Sequence, residues 1–526
     1  MMSPYNRGVD SMFYGEDSNT MPVYDLYKPL RNYMTQFPVM DSLEVMRAYF
    51  QHLQFGQPMP RNIETGFEFQ RGQNRIEKGI VEWELDILTK ELILNGGIVG
   101  RYSLREWSRL AKAVNMLREL ENELHAEFRE IMQPNILLEV YRISHRQFPW
   151  QKRPDGRVLL RYFKIFGHTD FAAMLENTMQ ITASELYTLG LGLVGNYMTT
   201  FGFNSAGRID IPNVRQSSWE SFKENFASTL PQLKQEIAST QNVDQDYAYK
   251  VNPLRYKPLL RLEFNGQQNL VAPIPTFLYQ AITEGIYYKL INERDFANTF
   301  GKAFARYVGE VLNTCNIRQN YTVLPEEEYY IGTQRHDTVD WIVSDASGHL
   351  FIECKAKKLR QESRVRIASR ESLEGDLDVM SDAVVQVYET MNDALNGAYP
   401  NWRDQNLPIY PIIVTLEEWY LYGMYGDKLL PVVDRKARTK LAALNIDLGL
   451  IDRHPYLILS VSDLELAIQV IERRSINVIM NERYRGECKD WMFYGFLQEK
   501  FHEEFQYLNA TLFPEEWGRI NPLINR

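Results

Sequence analysis

The sequence predicts a mostly α N-terminal half joined to an α/β domain in which helices flank a mixed central sheet. Three observations carry that expectation. Apolar residues recur at helical spacing through most of 41–252, the texture shifts near Lys250 to short apolar runs bounded by turn residues, and from Asp295 onward helical and strand patterns follow one another.

Composition narrows the function classes. A chain of 526 residues has room for about three domains. With 44% hydrophobic and 24% charged residues it reads as a folded globular protein. A net charge of -10 excludes a generally basic nucleic-acid coat protein but leaves room for a local basic groove. Cys315, Cys354 and Cys488 are widely spaced, which excludes a cysteine zinc cluster and fits a reducing compartment. The first twenty residues lack a basic start followed by an apolar run, so no secretory signal is expected. The longest apolar stretch, Leu186 to Met198, is too short for a membrane span and contains Gly, Thr and Asn. A cytoplasmic location is the expectation.

Residues 1–40 read as a tail and 41–252 as a helical recognition or oligomerisation domain. In Ile76 to Leu94 the apolar positions Ile80, Trp83, Ile87 and Leu94 keep helical spacing, and Asn95-Gly96-Gly97 supplies a stop. Ser103 and Glu106 form an S-x-x-E capping pattern ahead of a long helix whose face carries Leu110, Val114, Leu117, Leu124, Phe128 and Ile131 and which ends before Pro134. Further helices are expected at Asn135–Gln147, Asp170–Gln180, Ser184–Met198 and Ser217–Ser239. Between the first two of these, Lys152, Arg153, Arg157 and Arg161 interleave with Phe148, Trp150, Tyr162 and Phe163. That mixture suits a nucleic-acid strand, although it more often marks an amphipathic surface with buried rings.

Residues 253–294 read as a hairpin, Leu259–Phe264 and Asn269–Ala272 around Asn265-Gly266, and a connecting helix, Thr276–Ile291. The α/β domain is expected over 295–480. It opens with a helix, Asp295–Leu312, carrying Phe300, Phe304, Tyr307, Val308 and Val311 on its apolar side. Strands Tyr321–Leu324, Asp340–Ser344 and His349–Ala356 follow, then helix Ser381–Leu395, strands Ile409–Thr415 and Tyr456–Val461, and helix Ser462–Glu472. Residues 481–526 read as a C-terminal helical extension.

The chemistry concentrates in His336 to Lys358. A turn at Asp345-Ala346-Ser347-Gly348, centred between Ala346 and Ser347, sets Asp340 opposite Glu353. Phe351, Glu353, Lys355 and Lys357 then share one strand face, while Ile352, Cys354 and Ala356 form the core face. Two carboxylates facing each other across a ladder destabilise it unless a cation sits between them. Oxygen ligands with room for water suit Mg²⁺, for which Mn²⁺ can substitute, and Lys355 adds a second positive charge. The implied reaction is phosphodiester hydrolysis; the bland alternative is a solvated hairpin.

This order of elements, with D-(x12)-E-x-K over Asp340, Glu353 and Lys355, resembles the PD-(D/E)xK nuclease superfamily over roughly Asp295 to Arg473. The resemblance implies a restriction-endonuclease-like fold, with Asp340 and Glu353 as metal-binding acids, the backbone carbonyl of Cys354 as a further ligand, Lys355 as the residue that positions or activates the attacking water, and Gln386 as the glutamine of the following helix. Many members also carry a Glu just after an aromatic in the helix before the first strand. Here Ala305 follows Phe304, and Glu310, five residues on at ~100° per residue, points about 140° away. Asp337 is the alternative first acid, three residues from Asp340 and so on the opposite strand face. His336 is either a surface residue or a phosphate donor.

The run from Lys355 to Arg370 holds seven basic residues against one acid. Lys357, Lys358, Arg360, Arg364, Arg366 and Arg370 are expected to grip the phosphate backbone beside the scissile bond. The resulting expectation is a Mg²⁺-dependent endonuclease acting on DNA, most readily double-stranded. It would work as a homo-oligomer, with a protein partner accommodated on the N-terminal helical half, in the manner of restriction or anti-phage defence factors. An RNA or single-strand nuclease with the same site is the enzymatic alternative. A nucleic-acid-binding scaffold whose nuclease fold is not used catalytically is the alternative from another class.

Overall fold

The computed structural model describes residues 23–66, 79–128, 136–151, 153–264, 266–358, 370–399, 401–403, 405–423, 426–508 and 511–521. Its first half is built from helices α1 (Val23–Met34), α2 (Val39–Phe55), α3 (Glu82–Asn95), α4 (Trp107–Glu127), α5 (Ile136–Gln151), α6 (Gly156–Phe166), α7 (Thr169–Met179) and α8 (Ala183–Thr199). Residues 23–40 therefore belong to the fold rather than to a tail. Tyr27, Leu30, Tyr33 and Met34 recur at helical spacing, and α1 buries all four. The capping pattern at Ser103 and Glu106 is not used. Ser103 Oγ donates to Asp41 Oδ2 at 2.8 Å, Arg105 bonds Asp41 and Glu44 at 2.6 Å each, and Glu106 binds Arg109, so α4 starts only at Trp107. Charge-assisted bonds to α2 outcompete a local cap. The expected end of this helix near Ile131 and Pro134, and the start at Ile76 of the one before it, lie outside the described residues.

A small sheet follows, in the order β1 (Gly202–Asn204), β4 (Gln267–Val271), β3 (Leu259–Phe264), β2 (Ala227–Thr229). The expected single helix over Ser217–Ser239 is in fact α9 (Gln216–Phe226) and α10 (Leu230–Thr240), with β2 between them pairing parallel to β3. Thr229 and Gln232 cap α10 reciprocally, with Pro231 in its first turn, and this forces the chain out of helix at 227–229. Likewise Thr276–Ile291 divides at Thr283 (φ -106°, ψ -96°) into α11 (Pro275–Ile282) and α12 (Glu284–Leu290).

The second half holds a five-stranded mixed sheet in the order β11 (Leu457–Ser460), β10 (Ile409–Thr415), β9 (His349–Lys355), β8 (Trp341–Ser344), β5 (Thr322–Pro325). Strands β5, β8 and β9 are antiparallel; β9, β10 and β11 are parallel. One face, including Val343, Leu350, Ile352 and Val414, packs on α13 (Phe296–Cys315) and α17 (Val461–Arg473). The other, including Ile342, Phe351, Ile413 and Ile458, packs under α14 (Arg370–Leu395) and α15 (Gly426–Ala443). Both faces of β9 are thus apolar and covered, not one as the alternation suggested, because parallel neighbours bring crossover helices to each side. A short ribbon, β6 (Glu328–Ile331) and β7 (Gln334–Asp337), extends beyond β5 and β8 and was not anticipated. Helices α16 (Gly449–Arg453), α18 (Ile476–Arg485), α19 (Phe493–Lys500), α20 (His502–Phe505) and α21 (Pro514–Ile520) complete the chain. Among the described residues no helix is long and apolar enough to cross a membrane.

The two halves share a core: α6, α7 and α8 contribute to the same apolar cluster as the α13 side of the sheet. Arg161 on α6 is 3% exposed; its guanidinium holds Glu465 of α17 through bonds of 2.8 and 2.9 Å, and Tyr307 of α13 donates to the same carboxylate at 2.7 Å. Of the 148–166 segment expected either to suit a nucleic-acid strand or to form an amphipathic surface with buried rings, Arg161 is committed to a buried ion pair and Trp150, Tyr162 and Phe163 are interior, Arg153 is exposed, and Lys152 lies outside the described residues.

One close approach seats α13 on the sheet. Trp341 Nε1 donates to the Ala305 carbonyl at 2.8 Å, and its ring lies over Gly309 where a Cβ would collide with it. Gly309→Ala is expected to destabilise the protein by ~1–3 kcal/mol, the usual cost of overpacking. Urea unfolding of the single variant and of a double variant with Trp341→Leu tests this: the second substitution should recover most of the loss, and an additive result would show that the ring is not the cause.

Candidate active site

The turn between β8 and β9 sets the site's register. Asp345 Oδ1 accepts from the Ser347 and Gly348 amides and from Ser347 Oγ, while Oδ2 accepts from Ile476 N at 2.7 Å, pinning the turn to α18. Trp341 then pairs with Ile352 and Ser344 with His349, the register read from the sequence, but the ladder begins at Trp341, and Asp340, expected as its first residue, stands in a bend just before it.

On the other side Pro325 pairs with Trp341, whereas Glu327 already bonds Thr338, at 3.0 Å between backbone groups and 2.9 Å to Thr338 Oγ1. Between those pairs Glu326 faces two residues, Val339 and Asp340. This is a β-bulge, which re-aims side chains at the point where it interrupts a ladder. Val339 is buried in the α14 core, and Asp340 reaches across to accept from Cys354 N at 2.6 Å.

Glu353 lies beside Asp340 with its side chain 8% exposed. Lys355 Nζ donates to Glu353 Oε1 at 2.9 Å and to Gln386 Oε1 of α14 at 2.6 Å. The fold therefore brings Asp340, Glu353, Lys355 and Gln386 together from β8, β9 and α14. Burial, and then the Asp340 charge, push the Glu353 carboxyl up to about 7 against the pull of Lys355. Burial raises Asp340 also, opposed by the Cys354 amide and Lys355. Glu326 is raised by burial and by the charges of Asp340 and Asp337. The sequence reading missed Glu326, because its place beside Asp340 exists only through the β5–β8 pairing.

A cavity of about 180 Å³ opens beside Glu353 and Gln386 and is lined also by His336, Thr338, Glu389 and Thr390. His336 Nδ1 lies 3.6 Å from Asp393 Oδ2, so the partner that the sequence could not show is on α14. Asp337 is exposed, pairs with Arg335 at 3.1 Å, and also borders this cavity. Glu310 is engaged elsewhere, 2.9 Å from Lys164, and does not supply a third acid.

Asp340 and Glu353 are the carboxylates that could hold a divalent cation of the Mg²⁺ type. Asp340 Oδ2 accepts from the Cys354 amide and Glu353 Oε1 from Lys355, the Cys354 thiol also bonds the Asp340 carboxylate, and among the described residues no group of three or more His, Cys, Asp or Glu can enclose an ion. Two carboxylate oxygens with the remaining positions left to water and substrate are the Mg²⁺ pattern, not that of a closed structural site.

Of the residues expected to grip phosphate, Lys357 and Lys358 have described side chains. Lys357 lies 3.6 Å from Asp376 and is about one-third exposed. Lys358 is a correction: it is 5% exposed, 2.6 Å from Glu417, and surrounded by the rings of Tyr162, Tyr287 and Tyr288. Burial opposes its charge, but Glu417 and the tyrosines hold its pKa above the ordinary lysine value, so it anchors β9 to the helical half rather than contacting phosphate. Arg360, Arg364 and Arg366 lie outside the described residues, and Arg370 begins α14 with its side chain outside them.

Comparison of the chain with protein-family models, with curated proteins and with solved structures finds no match in any of the three.

Because Glu353 titrates near 7 when folded and near 4.5 when unfolded, its protonated form stabilises the fold at low pH, and that stability is lost as pH rises through about 7. Thermal unfolding in EDTA should show this decline in the wild-type chain and a flatter profile in Glu353→Gln. Mg²⁺ should raise the melting temperature at pH ~8 and much less at pH ~5, since the ion competes with the proton. A wild-type profile matching that of Glu353→Gln would remove the buried acid from the account.

Proposed function

We propose that this chain is a Mg²⁺-dependent nuclease of restriction-endonuclease-like fold that hydrolyses phosphodiester bonds in DNA. The observation that carries the reading is the meeting of Asp340, Glu353, Lys355 and Gln386 where β8 and β9 meet α14. Antiparallel β5, β8 and β9 continuing into parallel β10 and β11, with α13 and α14 on opposite faces, support the fold assignment.

Asp340 and Glu353 would hold the ion, which when bound lowers the pKa of a water and draws charge onto phosphate oxygens. Lys355 is kept from swinging away by Glu353 and Gln386. Its ammonium, held beside Glu353, would add fixed positive charge as negative charge builds on the phosphate. The cover of α14 over Glu353 limits bulk water and strengthens these interactions.

Asp340→Ala, Glu353→Ala and Lys355→Ala should each lower Mg²⁺-dependent cleavage by at least ~100-fold, as loss of one preorganised charge usually does. Gln386→Ala should cost ~10-fold, because it only orients Lys355. Supercoiled, linear and single-stranded DNA and RNA should be compared, with folding checked by circular dichroism. Unchanged cleavage by Glu353→Ala would refute the site, and cleavage of RNA alone would replace DNA as substrate.

A further inference from the structure

We infer that His336, oriented by Asp393, is the general acid that protonates the leaving oxygen; this rests on the nuclease reading above. His336 lies on β7, directly across from Tyr329 on β6, and its ring packs on that tyrosine with centroids 5.5 Å apart and planes at 31°. Tyr329 OH donates to Asp393 Oδ2 at 2.6 Å, and the same oxygen lies 3.6 Å from His336 Nδ1. One carboxylate thus bonds the tyrosine on which the ring packs and lies beside the ring itself. Nε2, the other ring nitrogen, has no partner among the described residues, and His336 lines the cavity it shares with Glu353 and Gln386.

An Asp–His pair beside a phosphate site has a specific use. A carboxylate beside Nδ1 orients the imidazole and leaves Nε2 as the nitrogen that hands on a proton. Hydrolysis of a phosphodiester forms one bond from water oxygen to phosphorus and breaks the bond from phosphorus to a sugar oxygen, whose electron pair stays on that oxygen. The Nε2 proton passes to this leaving oxygen. The attacking water releases its proton to solvent, and the neutral imidazole takes one back from solvent, so the site returns to its starting state. Lys355 and the acids serve attack and charge stabilisation, and His336, with Glu389 beside it on the cavity wall, serves departure.

The test uses the full chain and three Mg²⁺-dependent substrates: an all-oxygen oligonucleotide duplex, and duplexes with sulfur replacing the 3′- or the 5′-bridging oxygen at one linkage. A thiolate leaves without protonation. His336→Gln is expected to lose ~10²- to 10⁴-fold on the oxygen substrate, the usual worth of a general acid, and to recover to within ~10-fold of wild type on one sulfur-bridged substrate. Asp393→Asn should show the same pattern with a smaller loss, and stands in if His336→Gln does not fold. Glu353→Ala should be inactive on all three. Wild-type activity of His336→Gln on the oxygen substrate would overturn the inference while leaving the nuclease reading intact. Equal losses on all three substrates would also overturn it, because they mark a structural role. Failure of the wild-type chain to cleave any nucleic acid would overturn the nuclease reading, and this inference with it.

Discussion

Two carboxylates held side by side in a sheet covered on both faces are the constraint on which the rest of the site depends. Asp340, just before β8, and Glu353 on β9 are close enough for the charge of one to raise the carboxyl of the other, and Glu353 has little access to water. In a medium of low effective dielectric, such a pair cannot both ionise at neutral pH without a cation nearby. The protein supplies part of that charge through Lys355 and part of the solvation through the Cys354 amide. A stable fold has no need of this arrangement, and hydrophobic residues would fill the same row at lower cost, as Ile413 and Ile458 do on the adjacent strands. The conflict is tolerable because β9 is anchored on every side.

Those anchors connect the helical half to the site. Lys358, three residues beyond Lys355, is held by Glu417 and by tyrosines of α6 and α12. Arg161 of α6 closes a buried ion pair with Glu465, which Tyr307 of α13 shares. A buried pair of this kind contributes little net stability yet is costly to break from one side. Displacement of α6 would therefore be felt at both ends of the α13–sheet packing, a physical route by which events on the helical half reach the acids.

The sequence disclosed the strand pairing at the site because a short turn with Asp345 at its start leaves few registers, and period-two alternation selects among them. It disclosed β3 and β4, β10, and the helices of 169–199 within a residue or two for similar reasons. What it hid depends on partners distant in the chain. The bulge that sets Glu326 beside Asp340 exists only once β5 and β8 are paired. The β6–β7 ribbon is polar and short, and its signal was the turn at Gly332, where φ is 62°. Lys358 resembled its basic neighbours, and only tyrosines 70 to 200 residues earlier in the chain bury it. The break at 227–229 was legible in principle, since Thr229, Pro231 and Gln232 together spell a helix start.

The central claim is that the two acids bind a divalent ion in exchange for a proton. Its most direct test is Mn²⁺ binding to the full chain at pH ~7, followed by the electron paramagnetic resonance of free Mn²⁺ together with proton release in weak buffer. The account predicts a site lost in both Asp340→Asn and Glu353→Gln, with protons released on binding to wild type because Glu353 is partly protonated at that pH. Mn²⁺ binding that survives both substitutions, or no binding at all, would contradict it.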